Sequence, residues 1–127
     1  MRELTHIPPP AGLRTPPLSY AVRTGDLLYI SGIGPLNADN TVPEGFAAQM
    51  QIVLTTLDKV LTQAGADRRR LVKVNVLLTR EQDVAEMNRL YAAWYGPGPY
   101  PARTTAVVKA LPLPEFLLEI EGVAALG

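Results

Sequence analysis

Residues 44–78 read EGFAAQMQIVLTTLDKVLTQAGADRRRLVKVNVLL, and this stretch sets the fold class. Phe46, Met50, Val53, Leu54, Leu57, Val60, Leu61 and Ala64 recur at three-and-four spacing, which predicts a helix over 44–64 with one apolar face. Gly65 stands where a left-handed C-terminal cap belongs. Leu71–Leu78 is β-branched and partly alternating, which predicts a strand. A helix that hands straight over to a strand marks an α/β chain.

Upstream, residues 1–17 carry Pro8, Pro9, Pro10, Pro16 and Pro17 and read as an extended lead-in. A first strand is expected over Leu18–Arg23. A turn at Gly25-Asp26 leads into a second, Leu27–Ile30, which Ser31-Gly32-Ile33-Gly34-Pro35 should end. Downstream, Val84, Met87, Leu90, Tyr91 and Trp94 line one side of a helix over 81–95, and Gly96 to Pro101 stop it. Two strands follow, about 103–109 and 116–123, separated by Leu111-Pro112-Leu113-Pro114. The order β-β-α-β-α-β-β predicts a two-layer α/β (α+β) fold, a mixed sheet of five to six strands with both helices on one face. The expectation is a single domain over 1–127, with no internal repeat.

Twelve basic and twelve acidic side chains balance to a formal charge of zero, which removes the electrostatic case for nucleic acid or an anionic membrane. There is no cysteine, so disulfide and thiolate chemistry are excluded. The single histidine, His6 in THIPPP, reads as a solvated side chain, and no metal site can be assembled around it alone. The N-terminal residues lack the apolar core of a signal peptide, and no run approaches the ~18 apolar residues of a membrane span. A cytoplasmic location is expected.

Ser31-Gly32-Ile33-Gly34 follows a strand, but it lacks Gly-Lys-Ser/Thr and is followed by Pro35, so a phosphate loop is rejected in favour of a tight turn. Arg68-Arg69-Arg70 reads as a solvated turn after the first helix. Arg103 heads an apolar strand, YPARTTAVV, where it must reach water, pair with an acid, or hold an anionic ligand in its planar fork. Alternation puts Thr105 on its face. Glu119 interrupts the apolar FLLEIEGV and shares a polar face with Glu121. Asn88 reads from pattern alone as a surface position, and Tyr91, Trp94 and Tyr95 as core.

Taken together, SYAVRTGDLLYISG, AAQM with LDKVLTQAGAD, LVKVNVLLT, MNRLYAAWYG, YPARTTAVVKALP and LEIEGVA resemble the RidA/YjgF family of reactive-intermediate deaminases. The likeness runs in order from about Leu18 to Val123. It implies a chorismate-mutase-like homotrimer with ligand clefts between subunits. It implies cofactor-free and metal-free hydrolysis of small 2-imino or enamino acids, of the 2-aminoacrylate or 2-iminobutanoate type, to 2-keto acids and ammonia. By the same resemblance Arg103 binds the substrate carboxylate, and Glu119 positions the attacking water. Tyr20, Ser31, Asn88 and Thr105 line the cleft and contact the substrate. Thr105 departs from a common cysteine and Ile33 from a common glutamine, which bears on substrate preference. The competing expectation is a non-catalytic trimer that binds small carboxylates. A third, ribonuclease or translation inhibitor, is disfavoured by the neutral charge and the absence of a basic, aromatic surface.

Overall fold

The computed structural model describes residues 3–127; residues 1–2 of the expected lead-in lie outside the described residues. Six strands and two helices are formed: β1 Leu4–Ile7, β2 Ala21–Thr24, β3 Leu27–Ile33, α1 Phe46–Gln63, β4 Leu71–Leu78, α2 Val84–Tyr95, β5 Ala102–Val107 and β6 Leu118–Ala125. They build one mixed sheet in the order β1-β2-β3-β6-β4-β5, in which only β4 and β5 run parallel. That parallel pair requires a crossover, and α2 supplies it.

One face of the sheet packs against both helices. Val74, Val76 and Leu78 of β4 and Leu118, Ile120 and Ala124 of β6 are fully buried there, against Met50, Val53, Leu57 and Leu61 of α1 and Met87 of α2. The opposite face mixes Leu27, Tyr29, Leu77 and Val123 with Lys73, Asn75, Glu119 and Glu121, and Tyr29 is half exposed on it. The two-layer α+β fold is as expected from the order of elements.

Four details differ from the sequence reading. The lead-in is not wholly irregular: Leu4-Thr5-His6-Ile7 forms β1, paired antiparallel with β2, and Pro8 ends it. The strand expected from Leu18 starts at Ala21, because Tyr20 is held at a corner, its N–H donating to Ile7 O and its carbonyl accepting from Ser31 N. Ser31 and Gly32 do not end β3. They form an irregularity in its pairing with β6, and the strand continues to Ile33. The last strand is shifted two residues later, because Leu113 to Leu117 is drawn into a turn under α1.

That turn is held by Gln49, a buried amide on the apolar face of α1. Its Nε2 donates to Pro43 O and Glu115 O, and its Oε1 accepts from Leu117 N at 2.8 Å. All three bonds are to backbone, so the entry into β6 is fixed by one helix side chain.

The arginine triplet is not simply solvated. Asp67 caps a 3-10 turn over Arg68–Arg70. Arg68 then bonds Asp58 at 2.8 Å and the Trp94 carbonyl, with its guanidinium over the Trp94 ring. Arg69 lies over Tyr95 and donates to Pro97 O, and Arg70 donates to Ala125 O. The triplet clasps the ends of α1, α2 and β6 together.

Candidate active site

The expected site residues divide between the two faces of the sheet. Pairing sets Arg103 beside Val74 and Thr105 beside Val76, so both side chains leave β5 on the helix side. Glu119 lies beside Leu77 and alternates with the buried Leu118 and Ile120, so it leaves β6 on the open side. Within one chain Arg103 and Glu119 do not meet.

Arg103 stands at the head of edge strand β5, against α2. Its Nη2 donates to Asn88 Oδ1 at 2.6 Å, Nη1 lies 3.8 Å from Met87 Sδ, and its carbon centre sits 5.1 Å over the Tyr91 ring. Asn88 is therefore a partner of the arginine rather than a free surface position. A cation over a ring face and a charge-assisted bond together fix the plane of the guanidinium. The open cleft here is about 310 Å³ and is lined by Asn88, Tyr91, Ala92, Tyr100, Pro101 and Arg103. Tyr91 is at once core and cleft wall. Among the described residues its buried hydroxyl has no hydrogen-bond partner, and burial, partly opposed by the Arg103 charge, pushes it up to about 12.

Glu119 opens into a second cleft of about 520 Å³, shared with Tyr20, Ser31, Gly32 and Phe116. Burial, and after it the charge of Glu121, raises its carboxyl from 4.5 to about 6. Glu121 accepts from Asn75 Nδ2 at 3.3 Å and is more exposed. The Ser31 hydroxyl donates to Ser19 O at 2.6 Å, and burial raises Tyr20. Two glycines make room: a Cβ at Gly32 would stand 2.6 Å from Glu119 Oε1, and one at Gly34 would enter the Phe116 ring at 2.4 Å.

Tyr20, Ser31 and Glu119 are thus brought together, as are Arg103 and Asn88; Thr105 is half buried and lines neither cleft. Sequence reasoning missed Arg14 in the Glu119 cleft and Gln49, which holds the turn leading into β6. Gln49 left a signal, a polar residue on the apolar stripe of a helix. Arg14, in a proline-rich loop, left none. Among the described residues no three histidine, aspartate or glutamate side chains gather as metal ligands. Among the described residues no helix is long and apolar enough to cross a membrane.

A helix-backed mixed sheet with an arginine cleft and a glutamate cleft on opposite faces defines the class to compare. The family model described as Endoribonuclease L-PSP matches residues 13–126. Protein mmf2, mitochondrial, of Schizosaccharomyces pombe is 38% identical over 86% of this chain and 87% of its own length. Reactive Intermediate Deaminase A, chloroplastic, of Arabidopsis thaliana is 35% identical over 87% of this chain and 59% of its own length. Among solved structures, RidA from the Antarctic bacterium Psychrobacter sp. PAMC 21119 superposes with a TM-score of 0.83 at 33% identity, covering 95% of this chain and 94% of that one. The chain belongs to the RidA/YjgF family.

Proposed function

We propose that this protein is a cytoplasmic, cofactor-independent deaminase, one domain per protomer, that hydrolyses small 2-imino acids and their enamine tautomers. The substrates are of the 2-aminoacrylate or 2-iminobutanoate type. The observation that carries this reading is Glu119: a half-buried carboxyl titrating near 6, in a cleft beside Tyr20 and Ser31. A carboxylate so placed is suited to general acid–base work near neutral pH.

The reaction follows from the side chains. The Arg103 fork takes the substrate carboxylate in two parallel bonds. Water adds through oxygen to C2 of the iminium while Glu119 accepts its proton. The protonated carboxyl then returns that proton to nitrogen. As the C–N bond breaks and the carbonyl forms, the carbinol hydroxyl gives its proton to Glu119, which passes it to the departing ammonia, so that 2-keto acid and ammonium leave. Water is the nucleophile, so Thr105 in place of a thiol is compatible with turnover.

Because Arg103 and Glu119 sit on opposite faces of one sheet, the reading requires a second protomer to complete the site. The family resemblance makes the assembly a homotrimer in which the Arg103 cleft of one protomer closes against the Glu119 cleft of the next. The apolar residues of the open face, Leu27, Tyr29 and Val123, are suited to such burial. The test is to generate 2-aminoacrylate or 2-iminobutanoate in situ and follow keto-acid release. Release no faster than without the protein would leave the non-catalytic carboxylate-binding module in its place.

A further inference from the structure

Arg14 lines the Glu119 cleft and has no role in the chemistry above. Its backbone is fixed from both sides by Asn40, whose Oδ1 accepts from Arg14 N at 2.6 Å and whose Nδ2 donates to Gly12 O at 3.0 Å. Asn40 adopts a left-handed φ of 69°, the one non-glycine residue among those described to do so. Among the described residues no acceptor or carboxylate lies within bonding distance of the Arg14 guanidinium. The loop is pinned, and the fork it carries is free.

Arg14 is the one cation on this cleft's wall and Glu119 the one anion; between them the lining is largely apolar, with Leu18, Leu36, Leu113 and Phe116. Among the described residues the two form no salt bridge. On one protomer the cleft measures about 520 Å³, within the roughly 300–1,000 Å³ of ligand pockets.

We infer that Arg14 binds a second carboxylate on the substrate, which makes 2-imino dicarboxylic acids the preferred class. The inference rests on the deaminase reading only for the word substrate; the subsite itself is a matter of binding. A planar guanidinium is suited to a terminal carboxylate held in two bonds, as Arg103 is to the one beside C2.

The test uses two product-like ligands of equal chain length, 2-oxoglutarate and 2-oxopentanoate, which differ by one carboxylate. Calorimetry on the full chain should give 2-oxoglutarate the tighter binding by roughly tenfold, the weight of one charge-assisted contact on an exposed side chain. In Arg14→Gln the ratio of the two affinities should fall to about one, and in Arg14→Lys part of it should return. Arg103→Lys should weaken both ligands by a similar factor and leave the ratio unchanged. Equal affinities in the parent protein, or a ratio that survives Arg14→Gln, overturn the subsite. Turnover of in situ 2-iminoglutarate and 2-iminopentanoate separates the two ideas. A diacid preference in binding without any turnover sinks the deaminase and keeps the subsite. Turnover of both imines at equal kcat/KM, with equal binding, does the reverse.

Discussion

At the scale of single residues, Arg103 and Glu119 should fail in different ways. Glu119→Gln keeps the shape but removes the proton acceptor, so kcat should fall by roughly 10²–10⁴ while 2-keto acid binding survives. Glu121→Gln, on the same face and bonded to Asn75, is the control and should leave kcat near the parent value. Because the Glu119 carboxyl titrates near 6, kcat/KM should rise with pH through that value and level off above it. The same shift reads out in stability. Glu119 holds its proton more tightly folded than at its ordinary 4.5, so between 4.5 and about 6 the folded chain binds more protons and stability falls as pH rises. Glu119→Gln should therefore be the more stable protein at pH 8, by up to about 1 kcal/mol once solvent screening is allowed for, with the difference vanishing toward pH 4. Denaturant titrations at the two pH values check this. Arg103→Lys keeps the charge and loses the fork, so steady-state kinetics should show a much higher KM and a lower kcat/KM.

Both residues stood out in the sequence as charges inside apolar strands, and the family resemblance supplied their proposed roles. Arg14 did not, since a lead-in of prolines has no period against which a side chain can be noticed. The facing of Arg103 was also hidden: Arg-Thr-Thr-Ala alternates no clear apolar partner, and only the register with Val74 assigns a side.

Among elements, β3 carries the most local consequence. Gly32 within it and Gly34 just after it read as strand breakers. The strand does end before Gly34, but both glycines also serve as spacers, Gly32 admitting Glu119 and Gly34 admitting Phe116. The two should respond differently to a methyl group. At Gly32 the obstructed atom is the far end of a flexible carboxylate, so Gly32→Ala should displace Glu119, lower kcat, and cost little stability. At Gly34 the obstruction is a buried ring, so Gly34→Ala should destabilise by about 1–3 kcal/mol, the cost of overpacking. Thermal melts set beside kcat decide the contrast; equal melting losses for both would refute it. The long periodic elements α1, β4 and α2 were readable because their patterns extend over several turns or pleats. The four-residue β1 was not, because its ladder with β2 joins residues 14 to 20 positions apart, which no local pattern encodes.

For the whole molecule, the sheet leaves Leu27, Tyr29 and Val123 on a face that neither helix covers. Static light scattering at micromolar concentration should report three protomers; a stable monomer would contradict the assembly and with it the composite cleft. The assignment of Arg103 and Glu119 to opposite faces also has a genetic consequence. In the proposed trimer each catalytic centre would draw its arginine from one subunit and its glutamate from the next, so neither lesion would be confined to the chain that bears it. Arg103→Leu and Glu119→Gln proteins, each strongly impaired alone, should rescue one another when unfolded together and refolded as mixed rings. Random assortment at equal dose leaves roughly a quarter of the centres with both intact halves, and activity should reappear in that proportion. A cleft complete within one chain would give no rescue at any mixing ratio.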